Sequence, residues 1–291
     1  DLMSSNEVEQ VREHLLNHIH QESSVYSYSQ GDYEIQEQKQ AARNEDYVFK
    51  MMNSKDRHLD NPVLLSIFKN PAITERLAQL LGPDLMLWRT QFFRKYPGGS
   101  GTPWHQATTY LSDDLRNSVV YPPDRESLFQ LTCWIALTDA TKENGCMTIV
   151  PGTHKELYPM RTQNYYTKKP GKEQTELSRV EVDYPINAED VKAIEMKAGQ
   201  FYIFTERLIH GSQGNLTEDS RWSLTGRIVR PDTKLYSQKM LENSHNLRIL
   251  DVNHMNLKNW KAVMIRGKDR FGYNRMLEES AKAKGENIYG N

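Results

Sequence analysis

Residues 85–107 read LMLWRTQFFRKYPGGSGTPWHQA and contain a strand, a glycine-rich turn and a histidine. Leu85–Tyr96 is rich in aromatic and aliphatic side chains, which is typical of a β-strand, and Pro97-Gly98-Gly99 supplies the turn. Further runs of this kind follow with no helical pattern directly between neighbouring strands. They are Ser127–Thr138, Cys146–Val150, Gln200–Thr205 and Arg221–Val229. Strands in series predict a mainly β fold with flanking helices, built as an antiparallel jelly roll.

Helical patterns flank the predicted strands. Asn6–His20 has an apolar face and Ser4 or Ser5 as N-cap, and Pro62–Phe68 and Ala72–Leu81 follow, the last closed by Gly82-Pro83. We therefore predict one domain over residues 1–291. Its parts are a helical N-terminal part at about 1–84, a jelly-roll core at about 85–230 and a C-terminal helical extension at about 231–291.

The composition is ordinary for a globular protein. The 291 residues are 37% hydrophobic and 26% charged, and the net charge of −1 gives no electrostatic reason to expect nucleic acid or an anionic membrane as partner. Two cysteines without a CxxC motif argue against a disulfide framework or a thiolate zinc site. The sequence contains no apolar stretch near 18 residues and does not begin with a signal-like region, so a cytoplasmic location is expected.

Two histidines stand in a context that favours metal binding. His105 follows the glycine-rich turn, and His210 follows the predicted strand ending at Thr205. Many iron oxygenases hold Fe(II) with a His-x-Asp/Glu pair and a distant second histidine. Here the acid position of that pattern is Ala107. If the site binds iron, one coordination position has lost its anionic protein ligand.

The last predicted strand carries two arginines on one face. Alternation along Arg221–Val229 puts Arg221, Ser223, Thr225 and Arg227 on the same side. Arginines that face a barrel interior are costly unless they pair with anions, and a dicarboxylate cosubstrate would supply such a partner. The other interpretation is a structural ion pair.

The chain resembles the iron- and 2-oxoglutarate-dependent aliphatic halogenases of the phytanoyl-CoA dioxygenase-like superfamily, in particular those of the syringomycin type. The resemblance covers most of the length and is densest in six segments. These are residues 56–60 (DRHLD), 87–98 (LWRTQFFRKYPG), 104–107 (WHQA), 134–153, 197–210 and 273–275 (YNR). It implies a double-stranded β-helix, the cupin-like jelly roll.

The resemblance also implies the roles of individual residues. His105 and His210 would bind Fe(II), and a halide such as chloride would occupy the position vacated at Ala107. Arg221 would bind the far carboxylate of 2-oxoglutarate, with Thr102 and Trp134 as further donors. Gln91, Thr132 and Arg227 match the halide surroundings. Syringomycin-type members have an acid where this chain has Gln91, and another where it has Thr108; these departures concern the identity of the substrate rather than the type of reaction.

The implied reaction uses O2 and 2-oxoglutarate to chlorinate an unactivated aliphatic carbon. The implied substrate is an aminoacyl group on the phosphopantetheine arm of an acyl or peptidyl carrier protein in natural-product biosynthesis. Residues 158–190 form a long connection that predicts a lid or a disordered insert, and Lys168, Lys169 and Lys172 could dock an acidic carrier. Three alternatives stay open: a hydroxylase, a halogenase of a free amino acid or nucleotide, and a non-catalytic jelly-roll binding protein.

Overall fold

The computed structural model describes residues 1–19, 54–107, 118–167, 175–243 and 254–278, together with Gln21, Val25 and Tyr28–Ser29. Thr108 and the lysines at 168, 169 and 172 lie outside the described residues. None of the helices in the described ranges has the length and apolar character needed to cross a membrane.

Three helices precede the first long strand. They are α1 Ser5–Ile19, α2 Pro62–Lys69 and α3 Pro71–Leu81. Helix α1 begins with a capping box, because the Ser4 amide and hydroxyl donate to the Glu7 carboxylate while the Glu7 amide lies 3.4 Å from the Ser4 hydroxyl oxygen. Asn61 and Asn70 cap α2 and α3, and a proline follows each cap. These are the helices that the sequence predicts.

Most of the remaining residues in regular structure form two main sheets. The strands are β1 Tyr28–Ser29, β2 Leu85–Lys95, β3 Thr102–His105, β4 Val120–Tyr121, β5 Gln130–Ala136, β6 Met147–Ile149, β7 Met160–Thr167, β8 Thr175–Val182, β9 Lys192–Ile194, β10 Phe201–Thr205, β11 His210–Ser212, β12 Arg221–Val229, β13 Lys234–Leu235, β14 His254–Met255 and β15 Val263–Arg266, and helix α4 spans Gln238–Asn243. One sheet has the order β10-β5-β12-β2-β15 and the other β3-β11-β6-β9. All pairs in these two sheets are antiparallel, in agreement with the predicted jelly roll. Three strand pairs, β1-β14, β4-β13 and β7-β8, stand outside them.

The outer face of the five-stranded sheet packs against the N-terminal helices. Leu224 and Ile228 of β12 are fully buried in one cluster with Phe68 of α2 and Leu77 of α3. Gly226 lies between them, and a Cβ atom there would be 2.3 Å from a ring carbon of Phe68. The other face of β12, which carries both arginines, therefore faces the second sheet.

One region adds detail to the sequence expectations, and another departs from them. Within residues 158–190, β7 and β8 pair over eight residues as an antiparallel hairpin, and β8 lies alongside β3. The C-terminal extension was expected to be helical, but its described residues hold one six-residue helix and three strands, β13, β14 and β15. The last of these, β15, is an edge strand that pairs with β2. Sequence patterns missed β15 because it has only four residues, Val-Met-Ile-Arg, too few for a periodicity.

Candidate active site

The two histidines are direct neighbours across the four-stranded sheet. His105 at the end of β3 pairs with His210 at the start of β11, and their ring centroids are 4.2 Å apart. Directly paired residues of antiparallel strands project to the same face of the sheet. The fold thus brings together two imidazoles that are 105 positions apart in the sequence.

Each imidazole is fixed by a backbone carbonyl two residues earlier. Nδ1 of His105 is 2.9 Å from the carbonyl oxygen of Pro103, and Nδ1 of His210 is 2.8 Å from that of Leu208. A carbonyl can only accept, so each Nδ1 must carry the proton and each Nε2 keeps its lone pair. Burial lowers the pKa of both rings, and the neighbouring His105 ring and Arg227 lower the pKa of His210 further. Neutral rings with a free Nε2 are suited to bind a metal.

No protein carboxylate joins this pair in the described part of the chain, where no three His, Cys, Asp or Glu side chains come together as a metal site. Ala107 is buried, and its amide donates to the carbonyl oxygen of Glu206 at 2.8 Å. The methyl group is thus held two residues after His105 by the turn that precedes His210. The histidine pair stands without the acid that the facial triad would supply.

The five-stranded sheet contributes buried cations. Arg221 is 6% exposed, donates from Nη1 to the carbonyl oxygen of Gly145 at 3.1 Å, and lies 5.4 Å from the ring centroid of Trp134. Its Nε has no hydrogen-bond partner, and within the described ranges no carboxylate pairs with it. Burial lowers the pKa of Arg221, although a guanidinium stays charged at neutral pH. The structural ion pair considered from the sequence is therefore not found among these residues.

Sequence reasoning missed a second buried cation beside Arg221. Lys95 pairs with Arg221 across β2 and β12, and its ammonium donates to the Ser212 hydroxyl at 2.6 Å and to the Gln213 carbonyl. Burial and the nearby Arg221 lower the pKa of Lys95 to about 8. Alternation along β2 puts Lys95 on the same face as Gln91, a signal that the sequence already contained.

A β-bulge accounts for the position of Thr102. Thr102 and His105 are three residues apart, so plain alternation would direct them to opposite faces. The register between β3 and β11 shifts, however, and Thr102 pairs with Ser212 while His105 pairs with His210. Thr102 is exposed and lies at the end of the barrel where Lys95 binds Ser212.

The three residues matched to the halide surroundings lie on adjacent strands of the five-stranded sheet. Arg227 pairs with Thr132 of β5, and Gln91 of β2 pairs with Thr225, which accounts for their common face. Arg227 is close enough to depress the pKa of both histidines. The Thr132 hydroxyl is buried without a hydrogen-bond partner. The interior next to the histidines thus presents a positive charge and an unused hydroxyl.

These features fit an iron ion and a dicarboxylate. Two neutral imidazoles with free Nε2 atoms are ligands for Fe(II), and the buried Arg221 Nε is a donor for a carboxylate oxygen. The fold and the site define a class, the jelly-roll oxygenases that use non-haem iron and 2-oxoglutarate. The phytanoyl-CoA dioxygenase (PhyH) family model matches residues 1–223, and the chain belongs to that family.

Curated relatives carry names of the same class. The probable phytanoyl-CoA dioxygenase of Caenorhabditis elegans is 29% identical over 184 residues, which is 61% of this chain and 54% of that protein. The peroxisomal phytanoyl-CoA dioxygenase of Homo sapiens is 30% identical over 164 residues, or 56% of this chain and 44% of that protein. The chain thus spans about half the length of the curated relatives it matches.

Among solved structures, CytC3 with Fe(II) and alpha-ketoglutarate has a TM-score of 0.67 at 25% identity, covering 95% of this chain and 86% of that one. EctD from S. alaskensis, solved with 2-oxoglutarate and 5-hydroxyectoine, has a TM-score of 0.53 at 16% identity, covering 88% and 82%. The second likeness bears on the fold alone. Iron and 2-oxoglutarate are thus supported by the family and by the CytC3 structure.

Proposed function

We propose that this protein is an iron- and 2-oxoglutarate-dependent halogenase that chlorinates an unactivated aliphatic carbon. The observation that carries the proposal is the incomplete triad. His105 and His210 are neutral and oriented, yet Ala107 stands in the acid position and no carboxylate among the described residues replaces it. A non-catalytic jelly-roll binding protein would not require both imidazole rings in this orientation.

Residues around the histidines favour an anion from solution. An aspartate at position 107 would exclude chloride by its charge and its size, whereas alanine leaves room. Arg227 contributes a positive potential that is felt at both rings, and its effect is strong in a buried site. Thr132 offers its unused hydroxyl as a donor, and Gln91 adds no negative charge. Together these groups favour a halide beside the metal.

The chain's own part in the reaction is binding and exclusion. When bound, iron with 2-oxoglutarate and O2 supplies the oxidising power that removes a hydrogen atom from a C–H bond. His105 and His210 would bind the iron through Nε2. Arg221 would bind the far carboxylate of 2-oxoglutarate through charge-assisted hydrogen bonds, with Trp134 against the guanidinium and Thr102 at the same end. The buried interior excludes water, which favours transfer of halide over hydroxyl.

The test is an anaerobic titration with Fe(II) and 2-oxoglutarate, with and without chloride, that follows the metal-to-ligand charge-transfer band. We expect chloride to shift the band and to tighten 2-oxoglutarate binding. Ala107→Asp should bind iron, lose the chloride response and chlorinate at least 100-fold more slowly, because its carboxylate takes the halide position. Ala107→Gly is the matched control, since it keeps the position open and should still respond to chloride.

A hydroxylase is the second candidate, because the curated relatives include dioxygenases such as the ectoine dioxygenase of Bordetella parapertussis, at 25% identity over 168 residues. Water would then take the vacated position. If chloride did not shift the charge-transfer band of the wild-type protein and the product were hydroxylated, the hydroxylase would be favoured and the halogenase refuted.

For the substrate we propose an aminoacyl group tethered to an acyl or peptidyl carrier protein. The resemblance to syringomycin-type enzymes supports this, and so does the hairpin of β7 and β8, whose second strand lies alongside the His105 strand. The hairpin offers a surface next to the metal site on which a carrier could rest. Equal turnover of the tethered amino acid and the free amino acid would count against a carrier.

A further inference from the structure

Glu206 is a buried carboxylate that neither the metal site nor the cosubstrate site uses. It lies in the turn between β10 and β11, is 1% exposed, and neither of its oxygens has a hydrogen-bond partner. The nearest cation is Arg207, whose Nε is 3.8 Å from Oε1. A carboxylate has room for about four hydrogen bonds, and leaving them unmade in a buried place is costly. Such a group is expected to have a partner outside the chain.

The neighbouring cation is already engaged elsewhere. Arg207 donates to the Arg125 carbonyl and forms an ion pair at 3.5 Å with Glu126, which is mostly exposed. Burial raises the pKa of Glu206 to about 7, although its own backbone amide and the charge of Arg207 act in the opposite direction. Arg207 therefore balances the charge of Glu206 only in part.

Glu206 lines a cavity of about 200 Å³ at this turn. The other lining residues are Glu126, Leu128, His154, Lys155, Thr205 and Arg207. The Thr205 hydroxyl is also buried without a partner. His154 is exposed at the rim of this cavity. Two unsatisfied acceptors thus lie at the wall of one small cavity.

The cavity adjoins the vacated acid position. The backbone of Glu206 accepts the Ala107 amide, and the Gln106 side chain holds the same turn by donating to the Arg207 carbonyl and, at 2.8 Å, to the Glu156 carbonyl. Gln106 and Ala107 therefore both contact the turn that carries Glu206. A ligand group bound by Glu206 would lie beside the turn that holds Ala107.

We propose that Glu206, with Thr205, binds the protonated primary amine of the substrate. An ammonium group has three donors and a positive charge, which together match an anion with several unmade hydrogen bonds. The size of the cavity suits an amine and a short carbon chain. Because the carboxylate is covered, the amine must displace the groups that cover it. The inference rests on the proposed function only in identifying the amine as that of the substrate.

The test is calorimetric titration of the Fe(II)- and 2-oxoglutarate-loaded protein, without O2, with n-propylammonium sulfate and with n-propanol. We expect the amine to bind at least tenfold more tightly than the alcohol. Glu206→Gln should lose that tenfold difference. Glu126→Gln is the matched control, because it removes an exposed carboxylate from the same cavity and should change amine binding less than twofold.

Several outcomes would overturn the inference. If the wild-type protein bound the amine and the alcohol equally tightly, the inference would be wrong. It would also be wrong if Glu206→Gln bound the amine as tightly as the wild type does. Binding of Mg²⁺ that is lost in Glu206→Gln would assign a metal site instead. The chloride response of the charge-transfer band tests the proposed function separately, because Glu206→Gln should keep that response while it loses the amine.

Discussion

The two main sheets contribute different chemistry to the same interior. The four-stranded sheet presents neutral, oriented histidines on two short strands, one of them next to a bulge. The five-stranded sheet presents cations on two long regular strands, with Lys95 opposite Arg221. The residues proposed for metal binding and those proposed for anion binding thus lie on separate sheets. Residues on one sheet can therefore be substituted while those on the other sheet are kept.

The largest effect is expected on the four-stranded sheet. His210→Ala removes a proposed metal ligand whose ring is oriented by the Leu208 carbonyl. Fe(II) affinity, measured by anaerobic titration, should fall at least 1,000-fold. His154→Ala, an exposed histidine, is the control and should leave iron binding unchanged. An affinity loss below tenfold for His210→Ala would show that the iron is bound elsewhere.

On the five-stranded sheet, Arg221→Leu should weaken 2-oxoglutarate binding about 100-fold, because two charge-assisted hydrogen bonds are lost. Fe(II) affinity should stay within threefold, which is the sharpest test of the separation between the sheets. Arg94→Leu, on the outer face of the same sheet beside Trp222, is the control. Unchanged 2-oxoglutarate affinity in Arg221→Leu would mean that the far carboxylate binds another group.

The turn that joins the two sheets should respond to pH. The pKa of Glu206 rises from 4.5 to about 7 on burial, so the folded protein holds this proton more tightly than the unfolded chain. Below pH 4.5 the Glu206 carboxyl is protonated in both states, so its ionisation does not change the free energy of unfolding. Between pH 4.5 and pH 7 it ionises more readily in the unfolded chain, so the free energy of unfolding falls, and above pH 7 it falls no further. At pH 8.5 we expect Glu206→Gln to raise the free energy of unfolding by about 3 kcal/mol.

At pH 5 the same substitution should change the free energy of unfolding little. Chemical denaturation at both pH values, without amine, measures the difference. An equal effect at pH 5 and pH 8.5 would mean that Glu206 is not a strained carboxylate.

The smallest effect is expected at Lys95. With a pKa of about 8, its ammonium is charged below that pH and loses its charge above it. If it supports the binding of the 2-oxoglutarate dianion, the affinity should fall up to tenfold between pH 7 and pH 9. Lys95→Met should lower the affinity at pH 7 about tenfold and abolish this pH dependence. A pH dependence that persists in Lys95→Met would assign it to another group.

Regular strands could be predicted from the sequence in detail. The boundaries of β12 agree with the prediction, and alternation correctly assigned Arg221 and Arg227 to one face, because a strand of nine residues has a clear period. The neighbouring strand β2 differs from its prediction by one residue at the end. Regular local geometry is what alternation can predict.

Irregular geometry could not be predicted. The bulge that sets Thr102 opposite Ser212 depends on how two short strands pair, and neither strand shows this alone. The burial of Glu206 could not be predicted, because a glutamate in a short turn usually faces water. Its burial results from the packing of residues that are distant in the sequence. The pairing of His105 with His210 was expected from the resemblance rather than from any pattern in the chain.

Gly145 limits which residues the loops beside Arg221 can carry. Its φ is +76°, and a Cβ atom there would be 2.4 Å from the Gln213 carbonyl oxygen and 2.8 Å from Cδ of Lys95. Gly214 is similarly confined, since its Cβ would be 2.9 Å from the Gly99 carbonyl oxygen. The loops that carry Gly145, Gly214 and Gly99 therefore contact one another through their backbones beside Arg221. A larger residue at position 145 or 214 would force these loops apart and would move the Gly145 carbonyl that holds Arg221.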